Sequence, residues 1–328
     1  MNSHPDVSQA VRERVLRAID ELHYVPNTSA RDLVCPQTDL LGVVVRGAEN
    51  PFFTPVIRAA EETAEAAGYA IALHQIKPGE DEILAGASLA RSKRLKGLIL
   101  LGGSYDYTAE RAAALPVPFV CCTFTNSFGS MEQGAFSSVS IDDRAEARRA
   151  VGLLAERGHR RIAMLLDSVS DHSISQLRYQ GYCQALEAAG IPLDGRLVWE
   201  TVNYDMASAY EVTKRRIAEN PDVTALFVIA DAMAIAALKA LHESARRVPE
   251  DVSVIAIDGI DMSAYTIPTL TTLVQPQAEM GHQAVNILLD MLERQGGNRH
   301  VLLETALRPG GTLAPCVRTE RFSHPPRV

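Results

Sequence analysis

Short apolar runs alternate with longer amphipathic stretches along most of the chain, beginning at Leu40. The runs contain five to seven residues rich in Val, Ile and Leu, which predicts buried strands at Leu40–Val45, Tyr69–His74, Gly97–Leu101, Phe119–Phe124, Arg161–Leu166, Ala225–Ile229 and Val252–Asp258. Apolar residues at helical spacing predict helices between several of them, at Pro55–Ala67, Arg144–Arg157, Leu177–Ala189, Ala207–Glu219 and Ala232–Ala245. Strands that alternate with helices in this way indicate an α/β fold.

The predicted strands are apolar throughout, which is typical of parallel sheets that helices cover on both faces. They are too many for one small sheet, so we expect two doubly wound lobes that divide near Ser140–Asp142. Gly68, Gly158 and Gly190 stand just past predicted helix ends, where a left-handed cap is favoured. Ligands bind such sheets at the carboxyl ends of the strands. The polar or aromatic residues that follow strands are Asn50, Phe52, Phe53, residues 168–172, Asp231 and Asp258.

The first 38 residues follow a different, purely helical pattern. Ser8–Leu22 predicts an amphipathic helix that ends before Pro26, and Asn27–Leu33 predicts a second short helix that ends before Pro36. A single amphipathic helix cannot bury its apolar face by itself. We therefore expect a further segment to cover the first of these helices.

Composition excludes several classes of protein. The 328-residue chain has a formal net charge of −8, which argues against a protein that coats nucleic acid non-specifically. Five cysteines without a C-x-x-C pair predict free thiols in a reducing compartment. Neither a signal peptide nor an apolar stretch long enough to span a membrane is found in the sequence. We expect a cytoplasmic protein with no membrane partner.

Motifs of enzymatic chemistry are absent from the sequence. It contains no G-x-G-x-x-G after a strand, no phosphate-binding G-x-x-x-x-G-K-[ST], no G-x-S-x-G and no H-E-x-x-H. We expect no catalytic residues, no metal and no cofactor. An alternative interpretation makes a nucleophile and base of Asp167, Ser168, Asp171 and His172. Because catalytic triads are normally assembled from distant positions, we favour a polar loop there.

Five segments of the chain, taken in order, match the sequence pattern of a known protein family. They are HPDVSQAVRERVLRAIDELHYVPNTSARDLV, LLGVVVRGAENPFFTPVIRAAEETAEAAGY, RGHRRIAML, RYQGYCQAL and VSVIAIDGIDMSAYTIPTLTTLVQP. Together, from His4 to about Arg308, they resemble the LacI family of bacterial transcription repressors. The resemblance implies a periplasmic-binding-protein-like core of two doubly wound parallel-sheet lobes, preceded by a partial all-α headpiece and a hinge helix.

The resemblance also implies domain boundaries. Residues 1–26 match the end of a helix-turn-helix headpiece, 27–38 the hinge helix and linker, 39–141 plus about 277–298 the N-terminal lobe, 142–276 plus about 299–318 the C-terminal lobe, and 319–328 a tail. The first two headpiece helices of the family, which include the recognition helix, would precede His4. We therefore expect operator binding by this chain to require helices that its sequence does not contain.

Repressors of this family read operator DNA as homodimers, and their hinge helices enter the minor groove. Leu33 matches the leucine that wedges between base pairs, although it would equally pack within a short helix. Asn27 matches the start of the hinge helix, and Arg31 is placed to contact phosphate or the groove. The resemblance thus implies Asn27, Arg31 and Leu33 as DNA-binding residues and operator DNA as a partner.

The resemblance implies a small-molecule effector between the lobes. The residues that match the family's effector contacts are Asn50, Phe52, Phe53, Arg178, Asp231 and Asp258. The chain departs from the family at two places, where Ala230 replaces an asparagine and Gly259 replaces an aspartate. Carboxylates, an arginine and an aromatic face suit a sugar or sugar derivative, and they also suit a nucleobase.

Three nearby residues have a simpler structural interpretation. Tyr204 and Trp199 are expected to pack rather than to bind the effector, and Asp142 is expected to cap a helix at the crossover between the lobes. A solute-binding protein of the periplasmic type, without DNA binding, is the alternative function because it shares the two-lobed core.

Overall fold

The computed structural model describes residues 13–14, 39–77, 79–201, 203–294 and 296–316 of the chain. The predicted helices at Ser8–Leu22 and Asn27–Leu33, the hinge residues Asn27, Arg31 and Leu33, and the tail at 319–328 lie outside the described residues.

The described residues form two six-stranded sheets. The strands are β1 (Leu40–Arg46), β2 (Ala70–Ile76), β3 (Gly97–Leu101), β4 (Phe119–Cys122), β5 (Ser137–Ser140), β6 (Ile162–Leu166), β7 (Val198–Glu200), β8 (Ala225–Val228), β9 (Ser253–Asp258), β10 (Thr271–Val274), β11 (His300–Leu302) and β12 (Ala306–Arg308). The first sheet has the order β11-β5-β4-β3-β1-β2 and the second β12-β10-β9-β8-β6-β7. Every pair of neighbours is parallel except β10 with β12.

Eight α-helices cover these sheets in the described part of the chain. They are α1 (Phe53–Ala66), α2 (Glu82–Lys93), α3 (Ala109–Ala112), α4 (Asp143–Glu156), α5 (Ile174–Ala188), α6 (Met206–Glu219), α7 (Asp231–Glu243) and α8 (Gln277–Glu293). In the first lobe, α1 packs on α8. In the second lobe, α4 packs on α5 and α6 packs on α7. Because helices cover the sheets, β3 and β6 are buried at every position, as their unbroken apolar sequences require.

The predicted fold class is confirmed, since each lobe is a doubly wound sheet. All seven predicted strands and the five helices predicted after Leu40 are present, with ends shifted by at most three residues. Gly68, Gly158 and Gly190 have positive φ, as predicted for left-handed helix ends. The sequence patterns do not predict α2, α3, α8 or the short strands β5, β7, β10, β11 and β12. Three- and four-residue strands carry too little periodicity to be recognised.

Between residues 39 and 316, the described chain crosses between the lobes three times. It leaves the first sheet after β5, returns at α8, and leaves again after β11. Because β11 pairs with β5, the last crossover lies at 303–305, beyond the boundary near 299 that the sequence suggested. No helix among the described residues has both the length and the apolar surface that crossing a membrane requires.

Two helical glycines on α4 and α5 allow a matched test of the packing between these helices. A Cβ at Gly181 would lie 2.2 Å from the carbonyl oxygen of Arg144, whereas a Cβ at Gly152 would meet no atom within 4 Å. We expect Gly181→Ala to lower the free energy of unfolding by about 1–3 kcal/mol because the helices must separate. Gly152→Ala should raise it by about 0.5–1 kcal/mol, since alanine favours helix. Urea denaturation measures both; destabilisation by Gly152→Ala would contradict this interpretation.

Candidate functional site

The carboxyl ends of the central strands in both sheets carry the residues that the sequence singled out. Asn50 and Phe53 follow β1 in the first lobe, and Asp231 and Asp258 follow β8 and end β9 in the second. Arg178 comes from α5. The structure brings Arg178 to within 3.8 Å of Asp258, and it adds a third charged residue, Asp143, that the sequence analysis did not name.

Arg178 and Asp143 form a fully buried ion pair. The Nε and Nη2 atoms of Arg178 both donate to Oδ1 of Asp143, at 3.0 and 2.8 Å. Nη1 donates to the carbonyl oxygen of Ile229 at the end of β8. Burial raises the pKa of Asp143, although the guanidinium acts in the opposite direction. The same carboxylate raises the pKa of Arg178 despite its burial, so the arginine stays charged.

Asp258 has the most unusual environment in the site. Its Oδ1 accepts a hydrogen bond of 2.9 Å from Nε2 of Gln275, whereas its buried Oδ2 has no hydrogen-bond partner. Its φ of +141° lies in a region that residues other than glycine rarely adopt. Burial raises its pKa to about 7, against the lowering influence of Arg178 and of the Asn50 side chain from the first lobe. An unpartnered buried carboxylate oxygen with a strained backbone is typical of a ligand-binding position.

Asp231 is also buried, but its carboxylate is fully engaged by its own lobe. Oδ2 accepts hydrogen bonds from the amides of Gly259 and Ile260, both at 3.0 Å, and from Oγ of Ser263 at 2.6 Å. Oδ1 accepts one from Oγ1 of Thr272 at 2.6 Å. Both oxygens of the carboxylate therefore accept hydrogen bonds from the protein. In this structure Asp231 therefore holds the loop that follows β9, and it offers no free oxygen to an effector.

The N-P-F-F turn divides its residues between core and site. Phe52 is buried in the apolar core, which explains its side chain without a ligand. Phe53 is half-buried, and a Cβ at Gly102, after β3, would lie only 2.9 Å from its ring. Oδ1 of Asn50 accepts a hydrogen bond of 3.1 Å from the amide of Phe52, and the Asn50 side chain lowers the pKa of Asp258. Of the two phenylalanines, Phe53 is therefore the one that lies towards the site, at the carboxyl ends of the strands of the first sheet.

Two tyrosines lie beside the charged cluster. Tyr204 is half-buried, and its pKa is raised by burial and by the negative charge of Asp258. Tyr105, from the first lobe, is buried, and its pKa is raised by burial and by Asp143. The sequence predicts packing for Tyr204, and no sequence pattern singles out Tyr105.

Two of the structural interpretations from sequence are confirmed. Trp199 is completely buried and donates to the carbonyl oxygen of Arg196 at 3.1 Å, as expected of a packing residue. Asp142 caps α4 by accepting a hydrogen bond of 3.0 Å from the amide of Ala145. The aspartate beside it, Asp143, points instead to Arg178.

The loop after β6 does not assemble a nucleophile and base. Oγ of Ser168 accepts from the amide of Ser170 at 3.3 Å, whereas the His172 ring stacks on Phe128. Burial and the neighbouring carboxylates raise the pKa of Asp167 to about 6. Among the described residues no group of three or more His, Cys, Asp and Glu side chains is arranged to hold a metal ion.

The raised pKa of Asp258 predicts a pH-dependent stability. Between about pH 4 and pH 7 the folded chain retains a proton on Asp258 that the unfolded chain has lost, so this group lowers stability as the pH rises. Relative to Asp258→Asn, the free energy of unfolding of the unsubstituted protein should fall over this range, by up to about 1.4 kcal/mol per pH unit, and then level off. Urea denaturation at a series of pH values measures the difference; parallel curves would contradict the expectation.

Comparisons with known proteins agree with this architecture. A family profile described as a periplasmic binding protein-like domain matches residues 151–313. The chain is 35% identical over 309 residues to the HTH-type transcriptional regulator MalR of Clostridium butyricum, which covers 94% of this chain and 91% of that protein. It is 31% identical over 317 residues to the HTH-type transcriptional repressor CytR of Escherichia coli K12, covering 95% and 90% of the two chains.

Solved structures extend the similarity to three dimensions. The transcriptional regulator CelR in complex with cellobiose matches with a TM-score of 0.75 at 30% identity, covering 94% of this chain and 92% of that one. The lac repressor dimer bound to operator and an anti-inducer has the same fold, with a TM-score of 0.73 at 23% identity over 89% of this chain and 99% of that one. With relatives this similar over nearly their whole length, the chain belongs to the LacI family of transcriptional regulators.

Proposed function

We propose that the protein is an operator-binding regulator whose effector is a neutral, polyhydroxylated molecule bound at Arg178 and Asp258. The observation that carries this proposal is the unpartnered Oδ2 of Asp258, buried beside a guanidinium. A ligand hydroxyl that donates to this oxygen would satisfy a group that otherwise remains desolvated and unpaired.

Arg178 is the complementary partner for such a hydroxyl. A guanidinium carries five N–H donors. The contacts to Asp143 and Ile229 use three of them, because Nε, Nη2 and Nη1 each donate one hydrogen bond within the protein. The two N–H groups that remain belong to Nη1 and Nη2. Vicinal hydroxyls that accept from Arg178 and donate to Asp258 would bridge the two side chains.

The charge balance favours a neutral ligand over an anionic one. Asp143 already neutralises Arg178, and Asp258 lies 3.8 Å from the same guanidinium. Asp167 is half-buried near Asp171, Glu200 and Asp205, which add negative charge after β6 and β7. A carboxylate or phosphate on the ligand would enter this region without an unpaired cation, and the desolvation of a buried charge would oppose its binding.

An aromatic residue supports the same chemistry. The half-buried ring of Phe53 follows β1 and lies beside the loop after β3. Such a face suits the C–H surface of a sugar ring. CelR was solved with cellobiose, and a LacI family regulator of Enterococcus faecium with ribose, so neutral sugars are the first candidates for this chain.

A ligand screen tests the effector class directly. Thermal unfolding would be followed with ribose, cellobiose and other neutral sugars, and in parallel with gluconate and glucose 6-phosphate. We expect a neutral compound to raise the midpoint and the anions to leave it unchanged. The hit would then be titrated by calorimetry. Binding confined to anions would refute the proposed ligand class.

The regulatory part of the proposal concerns DNA. We propose that the homodimer binds an operator through its N-terminal segment, with Leu33 as the minor-groove wedge and Asn27 and Arg31 beside it. A protein with this role acts in the cytoplasm, where the DNA is. Genomic fragments selected by the full-length gene product would supply the operator. The screened sugar should then change its affinity; an operator affinity unaffected by saturating sugar would exclude the switch.

The dimer partner that we propose is a second copy of this chain, which would cover an exposed apolar patch on the second lobe. The patch consists of Met262, Tyr265 and Ile267, and Tyr265 and Ile267 are 84% and 97% exposed. Large apolar side chains exposed close together in the sequence favour an interaction surface. The lac repressor shares this fold and was solved as a dimer.

A single charge should disrupt this contact. We expect Ile267→Glu to weaken dimerisation by about 100-fold or more, since it places an unpaired carboxylate at the contact. Leu193→Glu is the control, because Leu193 is 50% exposed but lies near the amino end of β7. Sedimentation velocity over a concentration series measures both. Equal dimerisation by the two variants would show that the patch lies outside the interface.

A further inference from the structure

Four residues join the two lobes beside the charged cluster. Tyr105 and Asp106 follow β3 and Phe128 follows β4 in the first lobe, and His172 precedes α5 in the second. These residues, here called the interlobe clasp, are separate from the covalent crossovers. None of them belongs to the effector contacts proposed above.

Three different contacts hold the clasp together. The amide of Tyr105 donates to the carbonyl oxygen of His172 at 3.2 Å. The ring of Phe128 stacks on the imidazole of His172, with centroids 5.3 Å apart and planes inclined by 24°. Oδ2 of Asp106 lies 3.5 Å from Nδ1 of His172. In addition, the amide of Phe128 donates to the carbonyl oxygen of Tyr105 at 2.7 Å, so the two first-lobe loops form one surface.

His172 is held in this position by its own lobe. Its φ of +53° is left-handed, which is uncommon for a residue with a side chain. Its amide donates to Oε1 of Gln176 at 3.1 Å, and Ser173 caps α5 through the amide of Ser175. The strained turn at the start of α5 therefore presents the imidazole ring and the carbonyl group of His172 to the first lobe.

The first turns of α5 continue the contact with the first lobe. Leu177 belongs to the apolar cluster that contains Tyr105, Tyr107 and Phe124, and Ile174 packs against the same cluster. Leu177 directly precedes Arg178, which lies in the effector site. The helix that carries the effector-binding arginine is thus attached to the opposite lobe through its N-terminal end.

We propose that the interlobe clasp stabilises the contact between the two lobes and couples movement of α5 to the first lobe. A ligand that draws Arg178 towards itself moves the helix whose first turns pack in the other lobe. The clasp therefore biases the equilibrium between open and closed lobes. Its test does not depend on the identity of the effector.

Hydrogen exchange of the ligand-free, full-length protein tests the clasp, because the Tyr105 amide is one of its bonds. We expect His172→Ala and Phe128→Ala each to accelerate exchange of that amide by about 3- to 10-fold, since each variant removes the stacked pair. The double variant should add little to either single change, because both remove the same contact. Small-angle scattering should show a larger radius of gyration for all three.

A second Phe–His pair provides the control. His300 contacts Phe136, with ring centroids 4.6 Å apart, and both residues lie in the first lobe. His300→Ala should leave exchange at Tyr105 unchanged. Unchanged exchange in His172→Ala and Phe128→Ala, or equal acceleration in His300→Ala, would overturn the proposal. Circular dichroism and urea denaturation verify that each variant is folded, and His172→Ala, at an exposed side chain, keeps the test available if Phe128→Ala is unstable.

Discussion

Replacing Asp143 by alanine is expected to lower the free energy of unfolding by about 3–5 kcal/mol, because it leaves the guanidinium of Arg178 buried without its main partner. Both Arg178 and Asp143 are buried, and two hydrogen bonds join them. Asp258, at 3.8 Å, would compensate only part of the charge. The lower end of the range therefore applies if Asp258 ionises fully in the variant.

The adjacent aspartate is the matched control. Asp142→Ala removes only the hydrogen bond to the amide of Ala145 at the start of α4, which should lower stability by about 1 kcal/mol. Urea denaturation of both variants at one pH gives the comparison. Equal losses would show that the buried ion pair contributes no more than a helix cap. An Asp143→Ala/Arg178→Met double variant should recover part of the stability, because it removes the unpaired charge.

This pair of aspartates also shows where sequence patterns stop being informative. The crossover near Ser140–Asp142 and the cap at Asp142 follow from local signals, namely the end of an apolar run and an acidic residue before a helix. Only one of two consecutive aspartates can cap a helix. The second is then free to turn inward, but its partner Arg178 is 35 residues away, and no local pattern connects them.

The doubly wound lobes were predictable because buried parallel strands have unbroken apolar sequences. Three of the four edge strands were not: β7, β11 and β12 each contain three residues and are only partly buried, so neighbouring strands and not periodicity determine them. The family resemblance named Arg178 and Asp258, whose side chains lie 3.8 Å apart in the structure. The resemblance did not distinguish Asp258, whose Oδ2 has no hydrogen-bond partner, from Asp231, whose two oxygens both accept hydrogen bonds.

Asp231 and Asp258 should therefore respond oppositely to the same substitution. Asp231→Asn exchanges an acceptor for a donor that faces the amides of Gly259 and Ile260 and the hydroxyls of Ser263 and Thr272. At least one buried donor of the loop loses its acceptor. Since an unsatisfied buried group costs about 1–3 kcal/mol, and more where charge assistance is lost, we expect stability to fall by about 3 kcal/mol.

Asp258→Asn should instead act on the effector. Its Oδ2 has no partner in the protein, so the substitution removes no hydrogen bond from that atom. We expect stability at neutral pH to be unchanged or higher, while the affinity for the neutral sugar found by screening falls by about 10- to 150-fold, the value of a hydrogen bond to a charged group. Calorimetric titration and urea denaturation of both variants separate the two effects. If Asp231→Asn lowered the affinity for the sugar more than Asp258→Asn does, the assignment would be reversed. Asp231 would then be the side chain that contacts the ligand, and Asp258 would not.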